Sequence, residues 1–319
     1  MTLYAVTGGA GFIGSHLTEA LVQRGDRVRV IDNLESGLLE NLASLEVGEP
    51  GSGAPVEFWR VDVREGDRLG EAFAGAEGVL HQAAQVSVPR SIEAPEESLE
   101  VNATGTLRVL EAARRSGVKR VVMAASSAAY GNSETLPKRE DMPSQPLSPY
   151  AIGKAVGEQM LKVWADLYGL KTVSLRYFNV FGPRQRDDSP YTGVIAIFIR
   201  RLLDGLPVTI FGDGEQTRDF TYVANAVQAN LLALGANEAG GEVYNVGAGQ
   251  RVSLNQLFET LADLIAPGTQ VSYGPTREGD VRHSLADLSR IAEGLGYTPE
   301  VHLEEGLRQT VDWYRSCSK

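Results

Sequence analysis

Cysteine is nearly absent from this chain of 319 residues: Cys317, close to the last residue, is the only one. No internal disulfide can form, which fits a reducing compartment, and a thiol so near the end is not expected to be catalytic. Long apolar runs are also missing. No segment approaches the roughly 18 uninterrupted apolar residues of a membrane span, and the N-terminus lacks the basic stretch and apolar run of a signal peptide. A cytoplasmic location is therefore expected. Excess positive charge is missing too. Thirty Lys and Arg stand against 41 Asp and Glu, for a net charge of −11, which argues against nucleic acid as the main partner. An anionic ligand can still be held locally by a few Arg side chains and by backbone N–H groups. No metal is expected.

What is present is an ordinary globular composition, with 43% hydrophobic and 22% charged residues. Short apolar runs recur at Leu3–Val6, Val28–Ile31, Val56–Val61, Val79–His81, Val118–Ala124 and Thr172–Leu175, separated by helix-like stretches. This alternation predicts right-handed βαβ units and a doubly wound, Rossmann-type parallel α/β sheet. The rhythm breaks after Asn179. Helical segments at Val194–Leu203, Ala224–Leu234, Ser253–Ile265, Asp287–Glu293 and Glu304–Tyr314 mix with short strands at Val208–Phe211 and Val243–Val246. They predict a smaller α+β substrate lobe. The expected division is a nucleotide-binding domain over 1–178, to which 220–250 contribute, and a substrate lobe mainly over 179–319. The glycine- and proline-rich stretch 48–55 reads as a flexible surface loop.

The first run leads into Thr7-Gly8-Gly9-Ala10-Gly11-Phe12-Ile13-Gly14. Gly8 can make the tight turn, Gly11 can let the backbone approach a pyrophosphate, and Gly14 can let the helix pack close. The helix N-terminus offers N–H groups to the phosphates. A glycine triplet alone is weak, but a strand precedes this one and Asp32 ends the next strand. A carboxylate there accepts from an adenosine ribose and repels a 2′-phosphate, so NAD is expected over NADP.

Ser148-Pro149-Tyr150-Ala151-Ile152-Gly153-Lys154 opens a predicted helix, with Tyr150 and Lys154 on one face. Lowering a tyrosine from about 10 to about 7 takes roughly 4 kcal/mol of phenolate stabilisation. A nearby ammonium and a cationic nicotinamide ring can supply it. Y-x-x-x-K alone is common; its place downstream of a dinucleotide loop gives it meaning. Ser126 and Ser127 follow an apolar strand, where ligands bind in such sheets. One of them is expected to relay a proton and the other to cap the loop.

The set T-G-G-A-G-F-I-G, H-Q-A-A, S-S-A-A-Y-G, S-P-Y-A-I-G-K, R-Y-F-N-V-F-G-P-R and T-R-D-F-T-Y-V resembles the extended short-chain dehydrogenase/reductases. More narrowly, it is similar to the UDP-hexose 4-epimerases, over nearly the whole chain. The resemblance implies Tyr150 as base, Lys154 as its electrostatic partner and Ser126 as the catalytic hydroxyl. It implies a tightly held NAD lined by Gly8, Gly11, Phe12, Ile13, Asp32, Asn33, Asp62, Val63, Gln82, Ala83, Ala84 and Asn102, with Asp62 accepting from the adenine amino group. Asn179, Val194, Phe211, Arg218, Arg277 and Asp280 would hold the nucleotide sugar, Arg218 and Arg277 as a diphosphate clamp. A homodimer through helices at Glu97–Arg114 and Tyr150–Leu167 is also implied.

Related dehydratases place an Asp-Glu pair just after the catalytic hydroxyl, and decarboxylases a Glu close by. Here Ser127 and Ala128 stand there, so epimerisation is favoured over elimination. A UDP-glucuronate 4-epimerase remains an alternative within the family. A non-catalytic NAD sensor is the alternative from another class, although such proteins typically lose the Tyr–Lys pair. The resemblance puts a gatekeeper at Ser284, small enough to leave room for an N-acetyl group. Gln185 and Ser127 match epimerases of N-acetylated sugars, whereas Val86 replaces their glycine.

Overall fold

The computed structural model describes residues 1–186, 193–236, 239–276 and 281–317. Its centre is an eight-stranded sheet in which every pairing is parallel. The strands are β1 (Leu3–Thr7), β2 (Arg27–Asp32), β3 (Val47–Gly48), β4 (Val56–Arg60), β5 (Gly78–His81), β6 (Arg120–Ser126), β7 (Lys171–Tyr177) and an edge strand, Gly240–Val246. From that edge the order runs through β7, β6, β5, β1, β2 and β4 to β3. The chain leaves β1 for β2 on one side and returns to β5 on the other. The carboxyl ends of β1 and β5 therefore flank a topological switch point, where such sheets bind ligands.

The central strands β1, β5 and β6 are mainly apolar because helices cover both faces. On one face α1 (Phe12–Gln23) packs with the helices Val223–Gly235 and Ser289–Leu295, burying Leu17, Leu21, Ala229, Ala233 and Ile291. On the other, α2 (Gly66–Phe73), α5 (Gly105–Arg115) and α6 (Pro149–Tyr168) bury Leu69, Phe73, Val109, Leu110 and Leu161. Each large aliphatic side chain so buried contributes about 1.5–3 kcal/mol. Two short helices, α3 (Val88–Glu93) and α4 (Pro95–Leu99), lie against α6. A π-helical turn, Glu100–Thr104, joins α4 to α5, so the helix expected over Glu97–Arg114 is interrupted.

The second lobe has its own core, with Ile195, Phe198, Val208, Ile210, Leu257, Leu261, Leu307 and Val311. An ion pair between Arg184 and Glu19 of α1 (2.6 Å) ties it to the nucleotide-binding side, as does His16 Nε2 on the Pro183 carbonyl (2.9 Å).

The strand at Val243–Val246, within the stretch 220–250 expected to contribute to the nucleotide-binding domain, is the edge of the main sheet beside β7. One expectation changes: the stretch 48–55 is more ordered than a free loop. Val47–Gly48 pair with Val56–Glu57, and the Gly53 N–H donates to the Glu57 carboxylate (3.2 Å). The turn works because Gly51 and Gly53 both take a φ of 79°, which glycine adopts at little cost.

Candidate active site

The phosphate loop crosses from β1 to α1 as a set of close backbone contacts. Gly8 has a φ of 68°, and a Cβ there would lie 2.7 Å from the Ala83 nitrogen. A Cβ on Gly14 would lie 2.1 Å from the Gly8 carbonyl oxygen, so Gly14 lets α1 sit on the loop itself. Gly11 differs: its φ is −77°, and the only atom within 4 Å of a Cβ would be the Gly8 oxygen at 3.1 Å. Its freedom faces outward. The first turn of α1, at Phe12 and Ile13, has neither a capping side chain nor an acidic residue. Its N–H groups and dipole are available to an anion, so the loop fits a dinucleotide pyrophosphate.

Asp32 is buried at the end of β2. Its carboxylate accepts from the Ala10 N–H (3.0 Å) and the Leu34 N–H (2.9 Å), which aims it across the loop. Burial pushes its pKa up, and those two N–H groups oppose the shift. Asp62 was expected to accept from an adenine amino group. It already takes Arg64 N (2.8 Å), Arg64 Nε (2.8 Å), Arg64 Nη2 (2.7 Å) and Asn33 Nδ2 (2.8 Å). The Arg64 hydrogen bonds hold its pKa down to about 2. An adenine amino group would have to displace one of these donors; Val63, beside Asp62, is buried.

Beyond β5 runs Gln82-Ala83-Ala84. The Gln82 amide closes a ring: Tyr177 Oη donates to Gln82 Oε1 (3.2 Å), Gln82 Nε2 to Asn230 Oδ1 (3.1 Å), and Asn230 Nδ2 to Tyr177 Oη (2.6 Å). Tyr177 and Asn230 were missed in the sequence, because their link to Gln82 spans 95 and 148 positions. Asn102 lies in the π-helical turn. Its Oδ1 accepts from Gln85 N (3.0 Å) and its Nδ2 donates to Gln85 O (2.9 Å), clamping the loop after Ala84.

Ser148 caps α6 by accepting from Ala151 N (3.2 Å), and Pro149 occupies the first turn. The cap sets Tyr150 and Lys154 one helical turn apart, facing the end of β6. Ser126 caps the loop: its Oγ accepts from Ala128 N (3.2 Å), and its hydroxyl lies close enough to the Tyr150 phenol to act on its titration. Ser127 is half-buried beside it. Lys154 is buried, and its Nζ donates to the Ala124 carbonyl (2.8 Å). Burial pushes its pKa down to about 8, opposed by the Glu158 carboxylate. Glu158 is itself held in a buried bidentate pair with Arg176 (2.7 and 2.8 Å). Burial pushes the Tyr150 phenol up, partly offset by Ser126. A cation brought against Tyr150 by a bound ligand would move it the other way.

The second lobe carries the remaining polar candidates. The Thr217 carbonyl accepts from Arg218 Nη1 (3.0 Å) and from Ser284 N (3.0 Å), so the Arg218 side chain and the Ser284 backbone share one anchor. Asp219, fully buried and unremarked in the sequence despite its place in T-R-D-F, accepts from Ala248 N (2.7 Å), Gly249 N (3.1 Å) and Ala286 N (3.1 Å). Burial pushes it up to about 6 against those three donors. It locks the Arg218 strand to the Ser284 segment. Asn179 has a φ of 24°, and its carbonyl accepts from Thr221 N (3.2 Å). Gln185 Nε2 donates to Val180 O (3.4 Å), and the Gln185 carbonyl accepts from Tyr314 Oη (2.6 Å). Val194 begins the helix Val194–Leu203 and Phe211 ends the strand Val208–Phe211. Val86 is 67% exposed. Arg277 and Asp280 lie outside the described residues.

This assembly can bind a dinucleotide, hold a nucleotide sugar and move a proton at Tyr150. Comparison with known proteins agrees. The model of the NAD dependent epimerase/dehydratase family matches residues 4–247. The chain is similar to the UDP-glucose 4-epimerase of Thermotoga maritima, solved with UDP-glucose, at 39% identity and a TM-score of 0.93 over 100% of both chains. It is similar to a UDP-N-acetylglucosamine 4-epimerase from Methanobrevibacter ruminantium, solved with UDP-N-acetylmuramic acid, at 39% identity and a TM-score of 0.92 over 99% of both chains. It is also similar to the Thermus thermophilus UDP-glucose 4-epimerase in complex with NAD, at 40% identity and a TM-score of 0.86 over 98% of this chain and 99% of that one.

Proposed function

The chain belongs to the NAD dependent epimerase/dehydratase family, and from that premise we propose that it inverts carbon 4 of a UDP-hexose through a transient 4-keto sugar. UDP-glucose and UDP-galactose are the core pair, with tolerance of the N-acetylated pair. One observation carries the reading. Tyr150, Ser126 and Lys154 meet at the carboxyl ends of the central strands, whereas the two positions after Ser126 hold Ser127 and Ala128. Elimination needs an acid for the departing hydroxyl and a base for the adjacent proton. With no carboxylate at those positions, the keto sugar is re-reduced.

NAD held in this site would supply the reversible hydride chemistry at carbon 4. Tyr150, as phenolate, takes the 4-hydroxyl proton and later gives it back. Ser126 orients that proton through its hydrogen bond to Tyr150. Lys154 keeps positive charge near the phenolate, and Glu158 with Arg176 fixes it from behind. Gly8, Gly11, Phe12 and Ile13 hold the pyrophosphate, Asp32 the adenosine ribose, and Gln82, Ala83, Ala84 and Asn102 the nicotinamide side. Asn33 and Asp62-Val63 flank the adenine. Arg218, with Arg277 and Asp280, holds the nucleotide; Val86, Ser127, Asn179, Gln185, Val194, Phe211 and Ser284 surround the remainder. In this reading residues 1–178 and 220–250 form the NAD domain, and the rest of 179–319 the sugar lobe.

The partner is a second copy of the chain. Ile152, Val156, Val163 and Leu167 form an exposed apolar stripe along α6, with Ile92 and Leu99 exposed on the neighbouring α3 and α4. Leaving such a stripe in water is unfavourable, and self-pairing of α6 covers it. No described helix is long and apolar enough to cross a membrane. We propose a homodimer located in the cytoplasm.

The test is proton NMR of product mixtures from UDP-glucose, UDP-N-acetylglucosamine and UDP-glucuronate. The 4-epimer of UDP-glucose is expected. Conversion of UDP-glucuronate alone, or loss of water or carbon dioxide from any substrate, would overturn the assignment.

A further inference from the structure

His81 ends β5 with 2% of its surface exposed and takes no part in the chemistry above. Its ring reaches two hydroxyls from distant parts of the chain. Nδ1 lies 2.7 Å from Thr7 Oγ1 at the end of β1, and Nε2 lies 3.1 Å from Thr106 Oγ1 in the first turn of α5. The partners of these hydroxyls fix the protons. Thr106 gives its hydroxyl proton to the Asn102 carbonyl (2.8 Å), so it can only accept from His81. Nε2 therefore carries hydrogen. In the neutral ring Nδ1 is then an acceptor, and Thr7 donates to it. The Thr7 oxygen in turn accepts from Ala83 N (3.3 Å). Each N–H and O–H along the chain from Ala83 through Thr7, His81 and Thr106 to Asn102 thus meets one acceptor. Burial and the positive charge of Lys154 push the imidazole down to about 3, so it stays neutral.

The two ends of this chain have different jobs. The Thr7 end meets Ala83, whose backbone lies where a Cβ on Gly8 would fall, so it sets the gap between the phosphate loop and the nicotinamide side. The Thr106 end holds the π-helical turn. Asn102 Cβ there would lie 2.7 Å from a Cβ on Gly153, one residue before Lys154. We propose that His81, as a neutral Nε2–H imidazole, is a positioning residue that braces the NAD bed through Thr7 and the Lys154 helix through Thr106. The inference rests on the reading of this crevice as an NAD-dependent epimerase site.

Two substitutions separate the arms. His81→Asn keeps an acceptor at the δ position for Thr7 and loses the donor to Thr106. His81→Gln keeps a donor at the ε position and loses the acceptor. NAD affinity is measured by titration of NAD-stripped protein, and kcat at saturating NAD. His81→Asn is expected to bind NAD within about two-fold of wild type and lose about ten-fold in kcat. His81→Gln is expected to lose about ten-fold in NAD affinity and keep kcat within about three-fold. Equal losses on both measures in both variants, or no loss in either, would overturn the proposal. Nitrogen-15 NMR of labelled histidine reads the tautomer without turnover and without relying on either variant to fold. A neutral ring protonated at Nε2 from pH 5 to 9 is expected; titration within that range, or protonation at Nδ1, overturns it. Wild-type protein that binds no NAD would instead defeat the underlying assignment, a result distinct from any of these.

Discussion

Replacing each glycine of the phosphate loop by alanine should give three different outcomes, because each meets a different surface. At position 14 the new Cβ would sit 2.1 Å from the Gly8 oxygen and 2.8 Å from both the Gly8 carbonyl carbon and the Gly9 Cα. All three are backbone atoms, so α1 or the loop must move by about 1 Å. Alanine gains up to about 1 kcal/mol of helix propensity, but overpacking of this kind costs about 3 kcal/mol or more. A net loss of about 2 kcal/mol is expected. At position 8 a φ of 68° adds roughly 1–2 kcal/mol of backbone strain to the overlap with Ala83, so both folding and binding suffer. At position 11 there is no such strain, and one contact at 3.1 Å costs about 1 kcal/mol or less. Gly11→Ala should therefore melt within about 3 °C of wild type. It should nevertheless lose at least about ten-fold in NAD affinity, equivalent to about 1.4 kcal/mol, because the methyl occupies the approach to the α1 N-terminus. The assay is thermal denaturation of NAD-stripped protein paired with NAD titration. A Gly11→Ala protein that binds NAD as tightly as wild type would show that the pyrophosphate lies elsewhere. A Gly14→Ala protein that melts like wild type would refute the steric argument.

Ser284→Tyr should fill the space beside the sugar's 2-substituent, removing turnover of the N-acetylated pair and sparing UDP-glucose; an unchanged turnover ratio would mean residue 284 does not face the sugar. Asp32→Asn keeps an acceptor for the loop while removing the charge, and should weaken the preference for NAD over NADP at least about ten-fold by titration; equal binding of both by wild type would refute the role given to Asp32. Lys154→Met should cost at least about 10²-fold in turnover yet stabilise the cofactor-free protein at pH 7. Lys154 falls to about 8 in the folded protein, below its unfolded value of about 10.4, so the unfolded chain binds the proton more tightly. The buried ammonium thus costs about 3 kcal/mol below pH 8, and the cost fades as pH rises from 8 towards 10.4. Losing the donor to Ala124 offsets about 1–3 kcal/mol of this, so a gain of about 1 kcal/mol by urea denaturation at pH 7 should turn into a loss by pH 10; a gain that grows with pH would contradict this sign.

The strands of the nucleotide-binding side were legible because a sheet covered on both faces leaves continuous apolar runs, and Val194–Leu203 and Val208–Phe211 appear at the residues expected. Gly240–Val246 was harder to place, since only its pairing with β7, some 70 positions earlier, reveals its sheet. The π-helical turn was hidden because Glu100–Thr104 carries no glycine or proline to mark it; only the tertiary clamp of Asn102 on Gln85 distinguishes it. Tyr150, Lys154 and Ser126 were legible from local motifs. Their supports were not. Glu158 looked like any helical glutamate until Arg176 arrived from β7, and His81 and Asp219 acquire roles only through partners far along the chain.

If Tyr150 moves the proton while the loop at Gly8–Gly14 holds NAD, catalysis and cofactor retention separate in Tyr150→Phe. Turnover of UDP-galactose by this variant is measured alongside its bound NAD. Turnover at or below about one hundredth of wild type, with NAD content unchanged, is predicted. A variant that keeps more than about a tenth of the activity, or that loses its NAD together with its activity, would contradict it.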